Sequence, residues 1–233
     1  SQALREILER KVYTDKDLFQ SGGLWHSWMH HSDFSASSAG ECLDLINSRL
    51  INASEQMMST DWIVMTWGTS YVYLHGEIHL VVGNCHKQPE RMFERKRLGV
   101  PDIVDDFKNV LYAIRRMNPK LKVLLTVSPI RHAKDGMHGN QLSKSTLLLA
   151  ADEICRTCPD CFYFPSYEIM MDELRDYRFY AEDMTHPSAQ VVQYIWKKFC
   201  NTYMDASVCE LVGQAEQIQR KLSHRPLYPN SQK

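Results

Sequence analysis

Two apolar runs most constrain how this chain can fold. Trp62–Trp67 has no charged residue and Leu121–Val127 has one, Lys122. Such runs are typical of strands that are buried on both faces of a sheet. Between them, over 102–117, apolar residues recur at helical spacing directly after a proline. Because buried strands that alternate with amphipathic helices pair in parallel, we predict an α/β fold with helices on both sides of a mainly parallel sheet.

The other patterns add further helices, a hairpin and a third strand. Apolar periodicity predicts helices over 2–11, 39–58, 167–175, 188–199 and 205–222, a hairpin over 71–82, and a strand over 162–164. Residues 133–142 are polar and are predicted as a loop that could act as a lid, with Ser143 as the cap of the helix that follows. We predict one domain over 1–204, followed by a C-terminal helix and flexible tail over 205–233.

Composition excludes several classes of partner. The formal net charge is −1 and no run of about 18 apolar residues occurs, so we expect neither nucleic acid nor membrane as a partner. The seven cysteines are an odd number, which favours a reduced, cytoplasmic compartment over a disulfide framework. The first ten residues have an amphipathic helical pattern unlike a signal peptide. Because residue 1 is not Met, we expect the native start to lie upstream.

Polar residues follow the predicted strands where a parallel sheet binds ligands. Gly68 and Thr69 end the first apolar run, and Arg131 and His132 follow the second. Gly68 would let the backbone N–H approach a ligand closely, and Arg131 or His132 could orient an anion or only brace the loop. Asn84, beyond the hairpin, could donate its side-chain N–H to an oxyanion, with His86 nearby.

Three other residue clusters offer alternative chemistries. Cys85 next to His86 suggests a thiol nucleophile, but adjacent side chains point apart, which disfavours this interpretation. Histidines and one aspartate in 26–33 could be metal ligands, although a substrate-facing or packed loop is favoured. Cysteines at 155, 158 and 161 have metal-like spacing without a fourth ligand, so we interpret them as a coincidence of sequence.

The most informative motif is Asp183-x-x-His186-Pro187, which closes a run of aromatic, acidic and basic residues that begins at Tyr163. An aspartate three residues before a histidine can place its carboxylate beside the imidazole within one turn. The carboxylate then fixes the tautomer, and the other ring nitrogen can act as a base.

In its motifs the chain resembles the GSCFA family, over about Leu18–Phe199. The resemblance is carried by Trp67-Gly68-Thr69-x-Tyr71-Val72-Tyr73, Gly83-Asn84-Cys85-His86-Lys87, Thr126-Val127-Ser128-Pro129-Ile130-Arg131-His132, and Phe164-Pro165-Ser166-Tyr167-Glu168 through Asp183-Met184-Thr185-His186-Pro187. That family is similar to the SGNH/GDSL hydrolases. The resemblance therefore implies a flavodoxin-like three-layer α/β/α sandwich. It also implies that His186 is the general base and that Asp183 orients it.

Two departures from the family pattern affect the implied mechanism. No Gly-Ser-Cys-Phe-Ala signature occurs, so we expect the first strand and the nucleophilic serine to lie upstream of Ser1. Ser70 and Tyr71 stand where SGNH enzymes carry an Asn-Asp pair, so Asn84 is a substitute candidate for the oxyanion donor. Ser21, Ser27 and Ser128 lack the turn that precedes such a nucleophile.

The resemblance implies an SGNH-like acyl-ester hydrolase or acyltransferase that needs no metal or organic cofactor and acts on a small-molecule or glycan ester. We assign the catalytic roles to His186 and Asp183. Oxyanion or substrate binding is assigned to a second set: Gly68, Thr69, Asn84, His86, Arg131 and His132. One alternative is a non-catalytic ligand- or carbohydrate-binding module on the same fold. A second is a metal-dependent hydrolase that uses His26, His30, His31 or His86.

Overall fold

The architecture follows from the segments that bury apolar side chains in a regular pattern. The computed structural model describes residues 1–223, so the end of the predicted tail lies outside the described residues. The chain divides into two compact units, Ser1–Tyr167 and Glu168–Lys233. The predicted single domain over 1–204 stays a prediction.

The first unit contains eight strands and four long helices. The strands are β1 (Leu18–Ser21), β2 (Leu24–Ser27), β3 (Trp62–Trp67), β4 (Tyr71–His75), β5 (Val81–Val82), β6 (Phe93–Arg97), β7 (Lys122–Val127) and β8 (Cys161–Phe164). The helices are α1 (Gln2–Glu9), α2 (Ala39–Met57), α3 (Val100–Met117) and α4 (Gly136–Thr157). The predicted helices over 2–11 and 39–58 and the predicted third strand are therefore confirmed.

The predicted parallel sheet is confirmed as three strands in the order β3-β7-β8. Trp62 pairs with Lys122 at one end of the first ladder, and Val123 pairs with Cys161 in the second. One face of this sheet packs against α3 and α4 around Phe107, Leu111, Ile114, Val123, Leu125 and Ile154. The α/β class is thus confirmed, while the flavodoxin-like sandwich stays a prediction.

The prediction that β3 is buried on both faces is wrong. Its burial alternates along the strand, and Trp62 and Val64 are 41% and 53% exposed. The reason is topological, because β3 is the edge strand of its sheet and α3 and α4 cover its other face. The central strand β7 is buried at every position from Val123 to Val127, as predicted for both runs.

Two antiparallel sheets accompany the parallel one. β1 and β2 form a hairpin whose two-residue turn, Gly22-Gly23, has φ of 58° and 80°. A type I′-like turn needs such left-handed backbone, which glycine adopts at no steric cost. The predicted hairpin over 71–82 is present as β4 and β5, and β6 completes a sheet in the order β5-β4-β6. The strand β6 is charged and was not predicted.

The polar segment 133–142 is not a loop. A 3-10 turn occupies Ala133–Asp135, and α4 begins at Gly136, so Ser143 lies inside the helix. The predicted lid and the predicted cap at Ser143 are therefore wrong. Asp135, next to the helix start, accepts hydrogen bonds from Arg95 of β6, with Nη2 at 2.8 Å from Oδ2. This ion pair ties the antiparallel sheet to the start of α4.

The second unit begins within a short helical segment. α5 (Ser166–Glu168) leads into a π-helical turn at Ile169–Leu174, which is followed by α6 (Ala189–Tyr203) and α7 (Ala206–Ser223). Ser188 caps α6, with its side chain accepting a hydrogen bond from Val191 N–H. The core of this unit is Met170, Leu174, Phe179, Tyr180, Val191 and Ile195. The helices predicted over 188–199 and 205–222 are confirmed.

Candidate functional site

The loop after β3 is held by hydroxyl groups rather than by packing. Ser70 N–H donates to Ser143 Oγ at 2.7 Å. Thr69 Oγ1 and Ser70 Oγ each lie 3.1 Å from the same oxygen. Ser143 is buried on α4, so one buried hydroxyl fixes two consecutive residues of the loop that the sequence predicted as a ligand-binding strand end.

A lysine that sequence analysis did not select lies beside that loop. Lys144 is 0% exposed, and its Nζ donates to Gly68 O and to Ser128 O at 2.6 Å each. Burial lowers the pKa of this ammonium to about 8, because removing a charge from water favours the neutral form. The lysine joins the carboxyl ends of β3 and β7 through their backbone carbonyls.

His132 lies in the loop after β7, directly following Arg131. A Cβ on Gly68 would lie 3.4 Å from His132 Nε2, so the imidazole ring faces this glycine. The His132 backbone N–H donates to Asn140 Oδ1 at 2.9 Å. Burial lowers the pKa of His132, and the charge of Lys144 lowers it further, so both favour the neutral imidazole. Gly68, Thr69 and His132 are thus brought together.

A cavity of about 630 Å³ opens beside this strand end. Its volume falls within the range of small-molecule sites in proteins. Arg5 and Asp106 form an ion pair at its wall. The lining includes Trp67, Gly68, Thr69, Ser70, Val72, Leu98, Asp102, Ile103, Phe107 and Leu147. The cavity is therefore largely apolar, with a polar rim at the Gly68–Ser70 loop.

Asn84 and His86 form a separate local arrangement. Asn84 Oδ1 accepts a hydrogen bond from His86 N–H at 2.9 Å, and His86 Nε2 lies 2.8 Å from Ser27 O. Neither residue lines the cavity beside Gly68. Burial lowers the pKa of His86 and raises the pKa of the neighbouring Cys85 thiol. A thiol held in its protonated form is a poor nucleophile, which weighs further against Cys85.

Asp183 and His186 are in direct contact within the second unit. The Asp183 carboxylate binds His186 Nδ1 through Oδ2, while Oδ1 accepts the N–H groups of Thr185 and His186 at 2.9 Å each. The loop is closed by Ala181 N–H, which donates to His186 O at 2.7 Å. The two side chains are 49% and 59% exposed. This arrangement leaves His186 Nε2 as the ring nitrogen available for proton transfer.

Three hydrogen bonds explain why Asp183 stays ionised. The hydrogen bond from the backbone N–H of His186 contributes most, and those from Thr185 N–H and the His186 ring add to it. Together they lower the pKa of Asp183 well below its usual range. An ionised carboxylate at Nδ1 requires a proton there, which leaves the lone pair on Nε2. The local geometry therefore selects the tautomer that a general base needs.

The clusters that suggested metal binding serve other contacts. The rings of His26 and His86 have centroids 4.6 Å apart, and His30 Nδ1 lies 3.0 Å from Ser27 Oγ. All seven cysteines are free thiols. Within residues 1–223, no three side chains of His, Cys, Asp or Glu are grouped to hold a metal ion.

The buried polar residues of α4 were not predicted, although the sequence contains a signal for them. Leu147, Ala151 and Ile154 define the buried face of this helix. Extending their spacing towards the N-terminus gives Asn140, Ser143 and Lys144, all of which are buried. Polar residues at core-facing positions of a helix point to a structural or functional partner.

These features define a class of α/β protein with a parallel sheet, polar strand-end loops and an Asp–His pair. The chain belongs to the GSCFA family, whose model matches residues 1–199. No curated protein and no solved structure matches the chain. Within residues 1–223, no helix has the length and apolar character that a membrane span requires.

Proposed function

We propose that this GSCFA protein is an SGNH-like acyl-ester hydrolase or acyltransferase of the Ser-Asp-His type. The observation that carries the proposal is the contact of Asp183 with His186 Nδ1, which leaves Nε2 to act as a base. In a serine mechanism, the base removes the hydroxyl proton during attack and returns it to the leaving group. The carboxylate orients the ring and stabilises the imidazolium that forms.

The oxyanion-binding role falls to the backbone of the Gly68–Thr69 loop. Asn84 lies outside the lining of the cavity beside Gly68, so its role as a further donor stays a prediction. Backbone N–H groups that are fixed before the reaction stabilise a developing oxyanion without reorganisation. We assign His132, which faces Gly68, and the preceding Arg131 to substrate binding. His86 contacts Ser27 O outside that cavity, so its substrate-binding role stays a prediction. This mechanism needs no metal or organic cofactor, and the substrate is a small-molecule or glycan ester.

We further propose that the attacking serine lies upstream of Ser1, on a strand that pairs with the outer edge of β3 in a flavodoxin-like sheet. Among the described strands, β3 has only β7 as a neighbour. In a parallel ladder alternate residues bond to opposite sides, so the backbone groups of Trp62, Val64 and Thr66 face away from β7. Strand pairing there would place its carboxyl end beside the cavity and the Gly68 loop.

The test uses the protein expressed from its full reading frame. Wild-type protein should hydrolyse short acyl esters, and a fluorophosphonate should label one serine upstream of Ser1, located by peptide mass mapping. His186→Ala should reduce turnover by on the order of a thousandfold or more, because the general base is lost.

His31→Ala is the matched control. His31 is also exposed and lies 3.2 Å from a carboxylate, that of Asp33, so its loss removes a similar pair without the proposed role. Equal turnover of wild type and a folded His31→Ala protein, with loss in His186→Ala, supports the proposal. Full turnover in folded His186→Ala would overturn it.

The alternative of a non-catalytic binding module predicts a different outcome. A wild-type protein that binds a glycan or ester without turnover, and that no fluorophosphonate labels, would replace the hydrolase proposal with that alternative. The metal-dependent hydrolase has no supporting ligand group among residues 1–223.

A further inference from the structure

One face of α4 places three polar side chains in the interior of the first unit. Asn140, Ser143 and Lys144 are spaced as i, i+3 and i+4, so they project from the same side of the helix. Their exposures are 5%, 2% and 0%. Buried polar groups, and a buried cation most of all, are unfavourable unless hydrogen bonds replace their water.

The hydrogen bonds of these side chains all go to the loops that end β3 and β7. Lys144 binds Gly68 O and Ser128 O, Ser143 binds Ser70 N–H, and Asn140 binds His132 N–H. One helix face therefore sets the backbone of both loops. No carboxylate within residues 1–223 forms an ion pair with Lys144, so its hydrogen bonds go to the two carbonyls, and its Nζ also lies 5.9 Å from the centroid of the Tyr167 ring.

The Lys144 contact determines the direction of a neighbouring N–H. In a trans peptide the C=O of one residue and the N–H of the next point in opposite directions, and the described chain contains no cis peptide. Because Gly68 O points towards the buried Lys144, Thr69 N–H points away from it. Thr69 lines the cavity, and its N–H has no acceptor among the described residues.

The backbone N–H groups of Gly68 and Ser70, on either side of Thr69 N–H, are not directed by the Lys144 contact. Ser70 N–H is already bound to Ser143 Oγ. Trp67 O accepts from Ser128 N–H at 2.8 Å, so Gly68 N–H points away from β7, towards the outer edge of β3. Of these three N–H groups, Thr69 N–H is therefore the one that belongs to the peptide whose orientation depends on Lys144.

We propose that Lys144 is a positioning residue, which holds the Gly68–Thr69 peptide so that Thr69 N–H serves as an oxyanion donor. The inference rests on the proposed function and names the donor that the function requires. Lys144 does not touch the substrate. It acts through the carbonyl of Gly68, and Ser143 supports the same loop from the next position of the helix.

The experiment compares a graded series of variants in the protein expressed from its full reading frame. Lys144→Met keeps the length of the side chain and removes every donor, while Lys144→Gln keeps a donor for one carbonyl. Turnover of a short acyl ester is normalised to serines that a fluorophosphonate can titrate. We expect kcat to fall about a hundredfold or more in Lys144→Met, as for loss of an oxyanion donor, and about tenfold in Lys144→Gln.

KM should change by less than about threefold, because the ground-state ester makes little use of the donor. Lys108→Met is the control, since Lys108 is on the neighbouring helix α3 and pairs with Glu153 at 3.7 Å. That variant should retain wild-type kcat. If Lys144 had only a structural role, its substitution would lower the amount of titratable protein. The kcat per titrated site would then be the same in Lys144→Met, Lys144→Gln and the wild type.

Three results would overturn the inference. Wild-type kcat per titrated site in Lys144→Met would exclude a positioning role while leaving the hydrolase proposal intact. If Lys144→Met does not fold, Lys144→Gln replaces it, and wild-type kcat per titrated site in that variant has the same meaning. Absence of turnover and labelling in the wild type would refute the proposed function, and this inference with it.

Discussion

The Gly68–Ser70 loop and the Asp183–His186 loop each present polar groups for chemistry, but different interactions hold them. Gly68–Ser70 is fixed by buried side chains of α4, including a lysine with no exposed surface. Asp183–His186 is fixed by hydrogen bonds within its own segment of the chain, between Phe179 and Ser188, and its side chains are about half exposed.

This difference separates the consequences of substitution. Removing one member of a buried polar network leaves its partner without a hydrogen bond to protein or to water. The loss therefore appears in the free energy of unfolding. Removing an exposed side chain allows water to replace it, so the loss appears in the chemistry alone. Substitutions that remove the contacts of the Gly68–Ser70 loop should therefore change both stability and activity. Substitutions in the Asp183–His186 loop should change activity alone.

The largest expected effect tests the exposed loop. Asp183→Asn should reduce kcat/KM for a short acyl ester by about a thousandfold. The new amide can still accept the two backbone N–H groups, but its donor faces His186 Nδ1 and shifts the ring proton to Nε2. The thermal midpoint should not change.

Asp33→Asn alters the exposed His31–Asp33 pair and should leave both kcat/KM and the thermal midpoint as in the wild type. A large stability loss in Asp183→Asn would contradict the contrast between the two loops.

The next effect tests the buried lysine through pH. The pKa of Lys144 is lowered from 10.5 to about 8 in the folded protein, so between these values the unfolded chain binds more protons. The free energy of unfolding of the wild type, relative to Lys144→Met, should therefore rise by about 3 kcal/mol as the pH rises from about 8 to 10.5.

Urea denaturation of both proteins across that range measures the difference, and Lys108→Met provides the reference for a lysine that is partly exposed and ion-paired. A difference that stays flat with pH would mean that Lys144 is not desolvated as the structure indicates.

The smallest effect compares one hydroxyl in each loop. Ser143→Ala leaves Ser70 N–H without its buried acceptor and should cost about 1–3 kcal/mol of unfolding free energy. Thr185→Ala removes a hydroxyl 3.2 Å from His186 Nδ1 in an exposed loop, and should change stability by less than about 0.5 kcal/mol. Equal losses, measured by denaturant titration, would remove the distinction between the loops.

The sequence predicted features that depend on local pattern. The strands β3, β7 and β8 and the helices α2, α3 and α6 follow from runs and periodicities in their own residues. The contact between Asp183 and His186 is similarly local, because a spacing of three residues within a turn is sufficient to form it.

Features that depend on distant partners were not predictable from the same pattern. The sequence of β6, Phe-Glu-Arg-Lys-Arg, is typical of a solvated charged segment. It forms a strand because it pairs with β4 and because its Arg95 binds the Asp135 carboxylate. A lysine such as Lys144 is expected at the surface when only the sequence is considered. Its burial depends on two strand-end carbonyls, which the fold places within hydrogen-bond distance of Nζ. The exposure of β3 likewise depends on its position at the sheet edge rather than on its composition.

The outer edge of β3 also has a consequence for handling the protein. Trp62–Trp67 is a six-residue strand without charge, proline or glycine, and its outward backbone groups form a template for further strands. Segments of this kind promote aggregation when they are left uncovered. Any preparation in which this edge has no partner strand should therefore self-associate at concentrations where its fold is still intact.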